Sequence, residues 1–472
     1  MDLCSADAVA LARMLRNREL SARELLTAFL ARVDEINPLL NALVTLDAER
    51  AIARAAELDE QAARGEFAGP LHGLPIAIKD LAETKGLRTT YGSPLFADYV
   101  PDFDAPHVAL LRAAGVVIFG KTNTPEFGAG SQTFNRVFGA TRNPRNPALT
   151  PGGSSGGAAA AVASGMLPFA DGSDLAASVR NPASFCGLVG LRPTPGLIPA
   201  DTLEPLAVVG PLARSAADAA LLLAGMCGAD SGLPFARPDR PASFLDLRPA
   251  EPRGLRVAWT EDLGDLPVSA EVRSVLSRFR SLLEASGCEV VEDHPPLSGA
   301  DDVFQVLRAV LMASFGGLVD QVKETLAWNI RKGLALTGPQ IAAAKVRQAE
   351  IFSRMKDFLA SGYDVLALPT VQVPPFPVEQ EWVTSIEGVP QETYIDWVRS
   401  CSRITVTLHP AVSVPAGFTA AGLPVGVQLV GAYGADLTLL RIAATFESLA
   451  PRREGTSLVT QTSDSTLADR EV

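Results

Sequence analysis

Apolar residues recur along this chain in two alternating rhythms: a spacing of three to four that belongs to amphipathic helices, and short unbroken runs that belong to buried strands. The stretch SARELLTAFLARVDEIN opens with Ser21 three residues before Glu24, a capping box, and continues with Leu25, Leu26, Phe29 and Val33 on one helical face. Strand-like NALVTL and a polar Ala/Glu helix over 47–64 follow. GLPIAIKD (73–80) reads as an apolar strand ending on Lys79 and Asp80, and HVALLRAAGVVIFGKTN (107–123) as helix, glycine turn and buried strand. GGAAAAVASG (156–165) predicts a small-residue helix and MLPFADGSD a buried strand after it. Further on come the strand LRVAWT and the helix and strand of SAEVRSVLSRFRSLLEASGCEVVE. Helical patterns fill 301–360, and YDVLALPT (363–370), AVSVPAG (411–417) and PVGVQLVG (424–431) are buried runs before a closing helix in ADLTLLRIAATFES.

Alternation of this kind predicts an α/β fold: one large domain with a largely parallel central β-sheet covered by helices on both faces. The Pro-, Asp- and Arg-rich stretch 228–252 reads as a surface excursion, and no internal repeat is visible. The expected organisation is one domain over 1–455, with core blocks 70–215 and 363–447, a variable helical region 228–360, and a polar C-terminal tail 456–472.

Composition narrows the function classes. The chain of 472 residues is 47% hydrophobic and 20% charged, ordinary for a globular protein. Its net charge of −12, without a Lys/Arg run, argues against nucleic acid or an anionic membrane surface as partner. No apolar window reaches the ~18 residues of a membrane span, and the opening MDLCSADAVALARMLRNREL lacks the apolar core of a secretory signal. The cysteines Cys4, Cys186, Cys227, Cys288 and Cys401 are scattered and odd in number, as expected of reduced thiols in a cytoplasmic protein. The four histidines, His72, His107, His294 and His409, nowhere pair at metal-ligand spacing, so no metal is expected.

The candidate chemistry lies in PGGSSGGAAAA (151–161). A flexible linker would be flanked by polar sequence, whereas this stretch runs into an Ala-rich helix and a buried strand. A phosphate loop would end in Gly-Lys-Ser/Thr, which is absent. Gly152-Gly153-Ser154-Ser155-Gly156 fits the nucleophile elbow G-x-S-x-G, with Ser154 as nucleophile and His294 or His409 as base. A lysine could equally activate a serine if burial lowered its pKa, and Lys79 closes the apolar run LPIAIK.

Seven blocks together carry a resemblance: GLPIAIKD, GKTNTPEF, GATRNP, PGGSSGGAAAAVASG, DGSDLAASVRNPASFCGLVGLRPT, GPLARSAADAALLL and GLPVGVQLVG. In order and spacing they resemble the amidase signature family, from about residue 20 to 450. The resemblance implies a single large α/β domain with a mixed, mostly parallel central β-sheet covered by helices, and amide cleavage by a Ser–cis-Ser–Lys triad through an acyl-enzyme, chemistry that requires no cofactor. Lys79 matches the family's lysine, Ser154 the serine preceded by a cis peptide, and Ser178, 24 positions further on, the nucleophile. It also implies an oxyanion hole from the backbone N–H groups of Leu175, Ala176, Ala177 and Ser178, and an acyl pocket along Phe127, Gly128, Ala129 and Gly130. Here the chain departs from the pattern, with Ala176 and Ala177 where the family usually has glycines. Ordinary φ there leaves only narrowing methyls; a demand for positive φ would break the hole and leave a degenerate, amide-binding relative without activity. Asp174 and Arg180 read as a structural salt bridge, Ser155 as a turn-holding hydroxyl, and Asn123 and Asn143 as loop braces.

Substrate choice belongs to the variable stretches 300–345 and 371–400, where Phe376, Trp382, Tyr394 and Trp397 suggest an uncharged, fairly hydrophobic small-molecule amide or carbamate (aryl amides, urethanes or esters). An amidotransferase-type glutaminase, needing partner chains, is the alternative within the family. The chain is otherwise expected to act as a monomer or homodimer.

Overall fold

The computed structural model describes residues 2–228, 233–237 and 241–451. The expected tail 456–472 lies outside the described residues, as does part of the 228–252 excursion.

The amino-terminal part is built on α1 (Ala8–Arg16), α2 (Ala22–Leu40) and α3 (Ala48–Ala63). The capping box forms: Ser21 Oγ accepts from the Glu24 N–H at 3.1 Å, and the Glu24 carboxylate accepts from the Ser21 N–H at 3.0 Å. A small sheet has the order β1 (Leu43–Leu46), β3 (Val117–Thr122), β2 (Pro75–Lys79), with β2 parallel to β3 across α4 (Pro106–Ala113). A two-residue hairpin, β4 (Phe134–Asn135) and β5 (Gly139–Ala140), leads towards α5 (Gly156–Ala163).

The large sheet draws on β6 (Phe169–Asp174), β7 (Val189–Arg192), β8 (Val208–Ala213), β9 (Arg256–Trp259), β10 (Glu289–Glu292) and β11 (Val365–Pro369). After the small hairpin β12 (Ser385–Ile386) and β13 (Val389–Pro390), β14 (Ala411–Phe418) and β15 (Pro424–Val430) complete it. The spatial order is β10-β9-β11-β15-β14-β7-β8-β6. The helices are α6 (Arg180–Cys186), α7 (Ala216–Met226), α8 (Ala270–Ala285), α9 (Ala300–Ala313), α10 (Glu324–Leu334), α11 (Gly338–Ala360), α12 (Arg399–Val406) and α13 (Asp436–Leu449).

Both faces of this sheet are covered. Val365 and Ala367 enter the core beneath α7, α8 and α13, whereas Leu366 and Leu368 enter a second core under α9, α11 and α12. Val257 and Trp259 against Ala258, and Val412 and Val414 against Ala411, divide the same way. The sheet is mixed, as expected, but the expectation that it is mostly parallel is corrected. Among the described residues only β10–β9 and β9–β11 run parallel in it; β11–β15, β15–β14, β14–β7, β7–β8 and β8–β6 run antiparallel. The physical reason is that a continuous apolar run reports burial on both faces and not strand direction. β14 returns into β15 through a tight turn in which the Thr419 N–H bonds to the Leu423 carbonyl at 2.9 Å, and β7 reaches β8 without a crossover helix.

Close packing of α5 brings the serine turn inward. A Cβ on Gly157 would stand 2.3 Å from the Asn123 backbone nitrogen, so only glycine lets the helix start against the chain leaving β3. A Cβ on Gly153 would stand 2.5 Å from the Gln132 carbonyl carbon.

Candidate active site

Three chain segments converge. β2 delivers Lys79 at its carboxyl end, the turn before α5 delivers Ser154 and Ser155, and the loop from β6 to α6 carries Leu175–Ser178. Lys79 is 1% exposed, and its Nζ lies 2.8 Å from Ser154 Oγ, 2.8 Å from Ser155 Oγ and 2.9 Å from Ser173 Oγ. Burial among neutral hydroxyls pushes the ammonium down to about 7, against the opposing pull of Asp171 and Asp174. The Lys79 backbone N–H donates to Asp171 Oδ1 at 2.9 Å, and the other carboxylate oxygen faces His107 Nε2 at 3.3 Å.

The Gly153–Ser154 peptide is cis. The Ser155 N–H donates to the Ser178 carbonyl at 3.1 Å, tying the two serine loops together. Asn181 Nδ2 holds the same turn through the carbonyls of Gly153 (3.1 Å) and Ser131 (3.0 Å).

The loop carrying Ser178 is organised by a buried ionic cluster. Arg180 donates through Nη2 to Asp174 Oδ1 at 2.8 Å and through Nε to Oδ2 at 3.0 Å, and the Val179 N–H adds a bond of 3.1 Å. Arg192 Nη1 donates to the Asp174 carbonyl at 2.6 Å. Burial alone would raise the Asp174 carboxyl, but Arg180, with Arg192 behind it, holds it at about 2. Arg180 also donates to the Ala176 carbonyl and to Thr405 Oγ1. The pair thus acts as the structural bridge expected of it. Asn123 and Asn143 brace loops as expected, through Thr141 Oγ1 and the Phe185 carbonyl respectively.

No positive φ occurs at Leu175, Ala176, Ala177 or Ser178. The alanines therefore carry no left-handed strain, and their methyls only narrow the floor. The N–H groups of these four residues have no hydrogen-bond partner among the described residues, although buried donors are normally paired. All four residues line one small cavity, walled by Gly128, Ala129 and Gly130 and roofed by Arg308, Met312 and Tyr394. Its volume is about 40 Å³, the room of a few waters.

Some expected residues lie elsewhere. Phe127 is outside this lining, its ring stacked on Tyr91 and tilted against Phe315. Of the aromatic residues over 371–400, only Tyr394 reaches the cavity; Phe376, Trp382 and Trp397 pack in a separate apolar cluster around Phe185. No histidine lines it either. His409 is buried against Phe352, pushed down to about 4 by burial, with Nδ1 2.7 Å from the Thr407 carbonyl. His294 sits by Pro295. Ser154 is thus next to a lysine, and the elbow arrangement with a histidine base is not what the fold assembles. Ser173, Asp171 and Arg308 were missed in the sequence. Asp171 and Ser173 stand two apart on β6, so both side chains face Lys79; that spacing was the available signal.

The family described as Amidase matches residues 24–440. The chain belongs to the amidase signature family. It is an amide-cleaving hydrolase. It is 37% identical over 456 residues to an acylamidase of Rhodococcus erythropolis, covering 94% of this chain and 95% of that protein. It is 34% identical over 481 residues to a glutamyl-tRNA(Gln) amidotransferase subunit of Thermosynechococcus vestitus, covering 93% and 97%. The solved structure of a bacterial aryl acylamidase of this family superposes with a TM-score of 0.88 at 26% identity, covering 94% of this amidase and 96% of that chain. Among the described residues of the amidase no helix is long and apolar enough to cross a membrane.

Proposed function

We propose that this amidase cleaves aryl amides or carbamates through an acyl-enzyme formed on Ser178, with Ser154 as proton relay and Lys79 as base. The observation that carries this reading is the buried Lys79 Nζ, lowered to about 7 and 2.8 Å from Ser154 Oγ. A neutral amine at that place accepts the Ser154 proton while Ser154 accepts that of Ser178, whose Oγ bonds to the amide carbon. The carbonyl electrons move onto oxygen, where the free N–H groups of Leu175, Ala176, Ala177 and Ser178 offer donors. Collapse breaks the C–N bond, the relay returns the proton to the departing amine, and water repeats the sequence on the ester. The likeness to an acylamidase and to an aryl acylamidase supports an amide with an apolar body, as do the apolar side chains of Leu175, Met312, Ile395 and Val398 around the cavity.

Peptide-mapped mass spectrometry after treatment with a small sulfonyl fluoride tests the assignment. A label on Ser178 that is lost in Lys79→Ala is expected; a label on Ser154 would overturn it. The amidotransferase relative supports a second reading, in which the chain works only with partner chains. Anilide turnover by the isolated chain decides against that one, and glutamine turnover only with added partners decides for it.

A further inference from the structure

Arg308 lies on α9 in the roof of the cavity that holds Ser178, and it is 2% exposed. Its Nη2 donates to Gln305 Oε1 at 2.7 Å and its Nη1 to the Tyr394 hydroxyl at 3.3 Å, while its Nε is buried without a partner. Both partners are neutral, and no carboxylate lies within ion-pair distance of it among the described residues. Other buried arginines of this chain are matched: Arg180 and Arg192 by Asp174, Arg403 by Asp265 and Asp301. Arg308 is instead held against ring faces, its guanidinium carbon 5.4 Å from the centre of Trp328 and 5.9 Å from that of Tyr394. Asp396 acts on it only from beyond ion-pair distance, and a buried cation without a paired anion is costly unless something else supplies the charge.

Tyr394 points the same way. Its oxygen accepts from Arg308 Nη1 and, at 2.9 Å, from Asn329 Nδ2. Neither nitrogen can accept in return, so the phenolic hydrogen is left to donate elsewhere, and it makes no hydrogen bond to an acceptor among the described residues. A guanidinium with a spare N–H and a phenol with a spare O–H thus share the roof above the reacting serine.

We propose that Arg308 and the Tyr394 hydroxyl form a carboxylate-binding subsite, so that the preferred amides carry a carboxylate on the acyl or the amine side of the scissile bond. The inference rests on the serine-site reading above and replaces the expectation of an uncharged substrate. The apolar walls hold the body of the amide and the roof holds its charged end. A site built around unpaired donors rejects an analogue that lacks the acceptor more strongly than an apolar pocket rejects a missing methylene.

The test compares kcat/KM within two matched pairs. Succinyl 4-nitroanilide against butyryl 4-nitroanilide places the charge on the acyl side, and 4-acetamidobenzoate against 4-acetamidotoluene on the amine side. The acid is expected to be preferred on the order of tenfold or more in one pair, which also tells the side. Arg308→Met is expected to remove that preference, chiefly through KM, and Tyr394→Phe to reduce it. Arg308→Lys is expected to keep part of it. A merely structural role would lower acid and neutral substrate in parallel and leave the ratio unchanged, which overturns the proposal. Ratios near one in both pairs for the unaltered enzyme overturn it without any variant, while the serine reading stands. Absence of turnover of all four compounds, with no sulfonyl label on Ser178, overturns the serine reading and the subsite together.

Discussion

Replacing Lys79 by methionine separates what the lysine does for activity from what it costs the fold. In the unfolded chain its ammonium has the ordinary value of 10.5, and in the folded protein burial lowers it to about 7. Between these values the unfolded state binds more protons than the folded one, so stability rises with pH through this window. At about 1.4 kcal/mol per pKa unit, the group costs the fold about 4 kcal/mol at pH 7 and about 2 kcal/mol at pH 9. Methionine removes this cost but also the contacts to Ser154, Ser155 and Ser173, each contributing about 1 kcal/mol. The variant is therefore expected within about 1–2 kcal/mol of the wild type at pH 7, while about 2 kcal/mol of the wild-type rise between pH 7 and pH 9 disappears. Urea unfolding followed by circular dichroism at both pH values measures the difference of differences, in which other titrating groups cancel. Activity is read beside it. Wild-type kcat/KM should rise with an apparent pKa near 7, standing at pH 6 near a tenth of its plateau as the fraction of neutral amine does, with Lys79→Met inactive. Stability curves that run parallel from pH 7 to pH 9 would show a lysine charged throughout and refute the base role, and activity flat from pH 6 to pH 8 would refute a base that titrates near 7.

Ser155→Ala is expected to lower kcat about tenfold, because Ser155 Oγ lies 2.8 Å from Lys79 Nζ and helps orient it; steady-state kinetics that match the wild type would reduce Ser155 to a turn residue. Asp174→Asn leaves Arg180 and Arg192 without their counter-charge and should cost about 3–5 kcal/mol; an unchanged thermal midpoint would contradict a structural cluster. The double change Ala176→Gly and Ala177→Gly should cost about 1 kcal/mol of stability through the freer unfolded chain and bring no gain in kcat/KM, since neither alanine has a positive φ. A gain of tenfold or more would mean the methyls strain the oxyanion donors.

Much of this architecture was legible in the chain because burial writes directly into residue type. The capping box at Ser21 and Glu24, the runs ending in Lys79 and Asp174, and the small-residue helix after Ser155 all fold where their patterns place them. Strand direction was not legible, because the residues of β14 and β15 are apolar on both faces whichever way the strands run. The aromatic residues over 371–400 misled for a related reason. Trp397 buries its ring beside Phe185 and Phe376 and gives its indole N–H to Ser131 Oγ at 3.0 Å, and a core aromatic cannot be told from a substrate-facing one by type alone. Arg308 was hidden differently. On a helix it reads as one more solvated charge, and only the packing of Trp328, Tyr394 and Phe304 around it shows that it is buried.

The floor and the roof of the cavity come from different parts of the chain. Lys79, Ser154 and Ser178 stand within about a hundred consecutive residues, fastened to one another by backbone bonds and the Asp174 cluster, whereas Arg308, Met312 and Tyr394 come from α9 and the segment before α12. The molecule is modular inside a single core: a substitution in the roof alters what the cavity admits without touching Lys79, Ser154 or Ser178, the proposed catalytic residues. The same division makes the roof the place to begin when changing what this enzyme accepts, since a library confined to it leaves the proposed catalytic residues outside the search.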